Sequence, residues 1–204
     1  MATASAALLA AAVFLFAACG GGGGQGEATP PAAANPTQAA TPGEGTTPVA
    51  LPTFDADVPL VEFRSADKGY SLSYPQGWEV EASPGAPTDF FFWRVRDRRL
   101  VQLQVTCNRE ALSADSLMLL DADFASNFGG NLNRAAAVPV EISGVEGKRN
   151  SYNISVGGMT VEHVVAYVVS GGCGWRIGLN TQGPGSLGPY LPLFDRILPS
   201  VHFD

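Results

Sequence analysis

Gly69-Tyr70-Ser71-Leu72-Ser73-Tyr74-Pro75-Gln76-Gly77-Trp78 is the stretch on which the fold turns. Strict alternation puts Tyr70, Leu72 and Tyr74 on one face of a strand and the serines on the other. Pro75-Gln76-Gly77 has the chemistry of a turn, and Trp78-Glu79-Val80 starts the next extended piece. A strand with one apolar face needs partners, and the flanking sequence supplies them. Upstream, Val61-Glu62-Phe63 reaches the turn Asp67-Lys68-Gly69. Downstream, Asp89 to Val95 places Phe91, Trp93 and Val95 on one face and Phe90, Phe92 and Arg94 on the other. Asp97-Arg98-Arg99 reads as a hairpin connection. Val101, Leu103, Val105 and Cys107 then alternate with Gln102, Gln104 and Thr106, which predicts one buried face and one wet face.

Ser113 is a credible N-cap, Asp115 complements the first turn, and Gly129-Gly130 ends the helix they begin. Leu117, Leu120, Phe124 and Phe128 form its apolar stripe at helical spacing. Strands return over Val138 to Ile142, Val145 to Ile154, Thr160 to Val169 and Cys173 to Leu179, separated by Ser143-Gly144, Gly157-Gly158 and Gly171-Gly172. Leu191, Phe194, Ile197 and Leu198 mark a terminal helix before the extended Val201-His202-Phe203. Antiparallel runs with one helix between them and one at the end predict an α+β domain over residues 58–204. Its expected form is a curved antiparallel β-sheet with two main helices packed on one face.

The opening motif resembles the aromatic-Tyr-Pro-x-Gly-Trp pattern of the PsbP-like and Mog1-like family. The likeness continues through Ile142-Ser143-Gly144-Val145-Glu146-Gly147, the glycine hairpins, and Phe194-Asp195-Arg196-Ile197-Leu198. It implies the curved sheet and its helices. The family spans photosystem subunits, small eukaryotic transport factors and many bacterial lipoproteins of unknown role, so it implies a fold more than a function. No ligand-site motif of the family carries over.

Before the domain, an apolar run from Ala6 to Ala18 is shorter than the roughly 20 residues of a membrane span and has the character of a secretory signal. Phe16-Ala17-Ala18-Cys19-Gly20 resembles the bacterial lipoprotein signal. It differs in having Phe16 where Leu is usual, and no basic residue precedes Arg64. The resemblance implies a signal peptide over 1–18, a lipidated Cys19, and attachment at the bacterial cell envelope. Two acyl chains anchor a protein stably where one does not. An uncleaved apolar helix and an ordinary cleaved signal are the alternatives. Residues 19–57 hold Cys19 and a Gly/Pro/Ala/Thr-rich tether too poor in apolar side chains to offset ordering entropy, so disorder is expected. The 38 residues after Cys19 would reach roughly 30 to 40 Å as a flexible coil.

The formal charge is −7, from 19 acidic and 12 basic residues. Glu27, Glu44, Asp55 and Asp57 lie in the tether, which leaves the domain only mildly acidic and gives no footprint for nucleic acid.

Cys107 and Cys173 sit at strand ends on apolar faces. A disulfide between them is expected if those ends meet within about 4.4 to 6.8 Å between Cα atoms; two buried thiols are the alternative. His163 shares a face with Val161, Val165 and Tyr167 and reads as a strand histidine; the other histidine is His202. No ligand spacing for a metal, no nucleophile elbow and no phosphate loop is present, so no catalytic residue, metal or cofactor is assigned. The surface candidate is a binding patch of Phe90, Phe92, Arg94 and Arg96, joining aromatic and arginine anchors. The glycine-containing loop from Gln182 to Pro189 is a second, softer candidate. The expected role is a lipid-anchored extracytoplasmic binding or scaffolding domain whose partner is an unidentified envelope protein or small ligand. The alternatives are a hydrolase with a dispersed Ser/His/Asp site and a small-molecule or lipid carrier.

Overall fold

The computed structural model describes residues 55, 57–95, 98–111 and 113–204. The expected signal segment, Cys19 and nearly all of the expected tether lie outside the described residues, as does Arg96. The chain runs β1 (Leu60–Ser65), β2 (Tyr70–Pro75), β3 (Glu79–Glu81), β4 (Thr88–Val95), β5 (Arg98–Asn108) and α1 (Ala114–Asn127). It continues through β6 (Val138–Ile142), β7 (Val145–Val156), β8 (Met159–Ser170), β9 (Cys173–Gln182), α2 (Leu191–Ile197) and β10 (His202–Phe203).

Two antiparallel sheets form. The larger has the order β3-β4-β5-β9-β8-β7-β6, and the smaller is β1-β2-β10. The β7–β8 and β8–β9 hairpins turn at Gly157-Gly158 and Gly171-Gly172, all four with positive φ, which glycine reaches without a Cβ clash. β10 closes the small sheet by pairing His202 with Ser71 and Phe203 with Tyr70. That contact joins the two ends of the domain.

The main core lies between the sheets. Tyr70 and Leu72 of β2 meet Phe91 of β4, Leu103 of β5, Trp175 and Ile177 of β9, and Leu193, Phe194 and Ile197 of α2. The expected inward face of the opening motif is therefore the observed one. Asp89 is fully buried beside this core, where Lys68 Nζ and Tyr70 OH donate to its carboxylate at 2.9 and 2.7 Å.

A second, smaller core lies on the opposite face of the large sheet, where Leu117, Met118 and Ala125 of α1 pack on Tyr152, Ile154, Val165 and Tyr167. The helices thus divide between the two faces rather than sharing one. Topology explains it: β5 and β6 are separated in the sheet by β9, β8 and β7, so the connection carrying α1 must cross those three strands. Ser113 caps α1 as expected, in a reciprocal capping box with Ser116. The inward stripe differs from the one read in the sequence. Leu120 is 42% exposed, whereas Asp121 is buried. At about 100° per residue, Leu120 lies well off the axis defined by Leu117, Ala125 and Phe128, and Asp121 lies on it.

Candidate functional site

A cluster of polar side chains of the large sheet lies on the α1 face. Arg176 of β9 projects there between Thr106 of β5 and Tyr167 of β8, its direct partners in register. Its Nε donates to both oxygens of Asp121, at 2.9 and 2.8 Å. Nη1 donates to Gln104 Oε1 at 3.1 Å and Nη2 to the Tyr152 hydroxyl at 3.0 Å. Tyr167 OH donates to Asp121 Oδ2 at 2.7 Å, and Tyr152 OH approaches the same oxygen at 3.3 Å. Gly178, two residues along β9, leaves room for the guanidinium: a Cβ there would lie 3.1 Å from Arg176 Nη1. One carboxylate from the helix is thus held by groups on three strands.

Burial, reinforced by the negative charge of Asp121, pushes the Tyr167 hydroxyl well above its ordinary pKa. Burial is also the main reason that Tyr152 rises to about 12. For Arg176, burial works against the charge, but Asp121 and the tyrosine oxygens outweigh it and the net shift is upward. His163 stacks on Tyr152, with ring centroids 4.7 Å apart and planes within 3°. Burial lowers its pKa to about 3, and the nearby Arg176 charge adds to the shift. At neutral pH the cluster therefore holds protonated hydroxyls, a neutral imidazole and a satisfied ion pair. Such an arrangement fixes α1 to the sheet; it does not poise a proton for transfer.

Beside this network, His163 Nε2 and Gln102 Nε2 are buried without a hydrogen-bond partner. The expected wet face of β5 is thus not fully wet, since Gln102 is only 4% exposed. The other histidine is exposed, and its Nδ1 lies 3.2 Å from Ser143 Oγ. Among the described residues no carboxylate completes either histidine into a Ser-His-Asp constellation.

Cys107 and Cys173 are bonded, with Cα atoms 5.7 Å apart, because β5 and β9 are neighbours and the two residues meet at their shared end. Of the aromatic-arginine patch, Phe90 is half-buried and Phe92 is buried at 3% exposure. Arg94 is exposed, lies over the Phe92 ring at 5.3 Å and pairs with Glu79 at 3.4 Å. The Phe92 ring is sunk into the sheet face, and Phe90 stays partly exposed. The loop after β9 is pinned: Glu162 accepts from the backbone of Gly185 and Leu187 at 2.7 and 2.9 Å, and Ser186 donates to Thr181.

No family model and no curated protein sequence matches the chain. Solved structures do. The solution structure of cyanobacterial PsbP (CyanoP) from Synechocystis sp. PCC 6803 superposes with a TM-score of 0.53 at 18% identity, covering 71% of this chain and 92% of that one. The fold is PsbP-like. Weaker likenesses include LpqN, involved in cell envelope biogenesis of Mycobacterium tuberculosis (TM-score 0.43, 14% identity, 71% of this chain and 90% of that one). A Bacteroides thetaiotaomicron protein has a TM-score of 0.48 at 12% identity, over 70% of this chain and 48% of its own. The PsbP-like fold does not by itself assign a function.

The Asp121–Arg176 network was missed in the sequence because each member sits in an apolar pattern. Asp121 interrupts a helix stripe, and Arg176 stands between Trp175 and Ile177. A usable signal was there: a lone Asp at the centre of an apolar helix stripe and a lone Arg in a buried strand each require a partner.

Proposed function

We propose that the chain is a lipid-anchored extracytoplasmic protein of the bacterial cell envelope, and that its PsbP-like domain works by binding or scaffolding rather than by catalysis. The observation that carries the extracytoplasmic part is the Cys107–Cys173 bond. Structural disulfides persist where the surroundings are oxidising and are rare in the cytosol. Together with Phe16-Ala17-Ala18-Cys19, the bond supports export followed by lipidation of Cys19. The tether then holds the domain off the bilayer. The binding part is supported by a sheet face rich in polar side chains, whose buried Asp121–Arg176 pair is used to mount a helix.

The experiment is fractionation of cells expressing the wild-type chain and Cys19→Ala. The wild type is expected with the membranes, and Cys19→Ala in the soluble exported fraction. Membrane retention of Cys19→Ala unchanged from wild type would reject the anchor.

A further inference from the structure

The large sheet ends on β6, which has β7 on one side and, among the described residues, no strand on the other. Ser143 and Gly144 both have positive φ, as a two-residue hairpin between β6 and β7 requires. The closing pair of such a hairpin, Ile142 and Val145, is hydrogen-bonded, and bonded and non-bonded pairs alternate from there. Val140–Gly147 and Val138–Arg149 are therefore bonded pairs, whereas Glu141–Glu146 and Pro139–Lys148 are not. Pro139 fits that placement, because it has no N–H to give to β7. The N–H and C=O of Glu141 and the C=O of Pro139 accordingly point away from β7, along the open edge.

Glu141 and Glu146 stand directly opposite each other, in the pairing where side chains come closest. Both are exposed, and neither carboxylate has an ion pair or hydrogen bond among the described residues. Like charges so placed destabilise a sheet. With Pro139, Val140, Gly147 and Lys148 they line an open cleft of about 540 Å³. Lys148 does not relieve them, because Asp115 of α1 holds its ammonium at 2.7 and 2.9 Å. On the other face of β6, Val138 is 53% exposed and stands opposite Arg149, whose guanidinium is already paired with Asp195.

We propose that the β6 edge binds an extended basic segment of another protein as an added strand. Lys or Arg at alternate positions meets Glu141 and Glu146, and apolar residues between them cover Val138. The open backbone groups supply hydrogen bonds and the alternating side chains supply selectivity, as in strand addition generally. Charge excludes the two occupants nearest to hand. A second copy pairing β6 with β6 would gather four carboxylates, and pairing through β3 would bring up Glu79 and Glu81. The chain before the domain has no Lys or Arg until Arg64, so it offers the cleft no cation. A proline and glutamates also keep an edge from pairing with itself; here they leave a basic strand admissible.

This inference rests on reading the domain as an envelope binding module and names its partner class. The test uses the full chain, 15N-labelled, in a non-ionic detergent. The probe is the peptide acetyl-Lys-Val-Lys-Val-Lys-Val-Lys-amide. A second peptide has the same composition with its lysines contiguous, and a third has Glu in place of every Lys. Each is titrated into the low-millimolar range while the backbone amides of β6 are followed. The alternating peptide is expected to shift Val138, Val140 and Glu141 with saturation and to slow hydrogen exchange at the Glu141 amide. Glu141→Lys replaces a repelling cross-strand pair with an attracting one; it is expected to keep the thermal midpoint and weaken binding by about tenfold or more. The contiguous peptide cannot bring all its charges to one face and should also bind more weakly.

No saturable shift along β6 would overturn the inference. So would equal binding of all three peptides, of the two basic peptides, or of the alternating peptide to Glu141→Lys. Shifts along β6 that depend on protein concentration without peptide would assign the edge to a second copy. Protection of the Glu141 amide that is lost on deleting residues 20–54 would assign it to the preceding segment; either result overturns the proposal. Release of Cys19→Ala from membranes is scored separately. An anchor that holds while the peptides fail sinks this edge and leaves the proposed function standing.

Discussion

Asp121→Ala should loosen α1 from the sheet. The carboxylate it removes receives Arg176 Nε at 2.9 and 2.8 Å and Tyr167 OH at 2.7 Å. Both side chains of the pair are largely out of water, at 15% and 10% exposure for Arg176 and Asp121. Deleting one member of a buried pair costs about 3–5 kcal/mol, because the other charge is left uncompensated. Arg176 keeps Gln104 Oε1 and the Tyr152 oxygen as partners, which places the loss near the lower end. The stranded Tyr167 hydroxyl adds about 1 kcal/mol, for roughly 4 kcal/mol in all. In a domain of this size that lowers the thermal midpoint by roughly 8 to 16 °C. Urea unfolding followed by tryptophan fluorescence, in the Cys19→Ala background, measures it. Arg176→Met should cost a similar amount, and Asp121→Leu with Arg176→Met should recover about half, since apolar pairs replace buried ion pairs at little cost. A single-variant loss below about 1 kcal/mol, or a double variant equal to the sum of the singles, would refute the network as the helix mount.

His163 gives a pH prediction whose sign follows from its folded-state pKa of about 3 against an ordinary 6.5. The unfolded chain takes up the proton first, so the stability this residue contributes is complete above pH 6.5 and is lost as pH falls toward 3. In that window the slope approaches about 1.4 kcal/mol per pH unit. His163→Phe keeps a ring against Tyr152 and should flatten this part of the profile; an unchanged wild-type-minus-variant difference between pH 7 and 4 would refute it. Reduction of the Cys107–Cys173 bond, which closes a sequence separation of 66, should cost up to roughly 4 kcal/mol in the chain-entropy account. Equal urea midpoints with and without dithiothreitol would contradict that, as would two alkylatable thiols in the unreduced protein.

Strand positions were legible because local rules govern them. The alternation of Tyr70, Leu72 and Tyr74 needs only a pleat, and the glycine pairs at 157–158 and 171–172 need only a turn with positive φ. Ser113 needs only the free amides of the next turn. The inward face of α1 was less legible. A count of apolar residues favours Leu120 over Asp121, and only the guanidinium supplied by β9 reverses that preference. Gln102 is a similar case, a polar residue at an outward position that burial overtook.

The sequence by itself determined the antiparallel strands, the capped helix, the pairing potential of Cys107 and Cys173 and the mildly acidic character of the domain, since each depends on neighbours a few residues apart or on composition. Tertiary structure decided the rest. It split the strands into two sheets and added the last strand to the smaller one by pairing Phe203 with Tyr70. It sent α1 across β9, β8 and β7 by separating β5 from β6. It also brought Gln102, Asn180 and His163 into one row. Those contacts join residues tens of positions apart, and their free energy exists only once the intervening chain has folded; no local pattern can encode them.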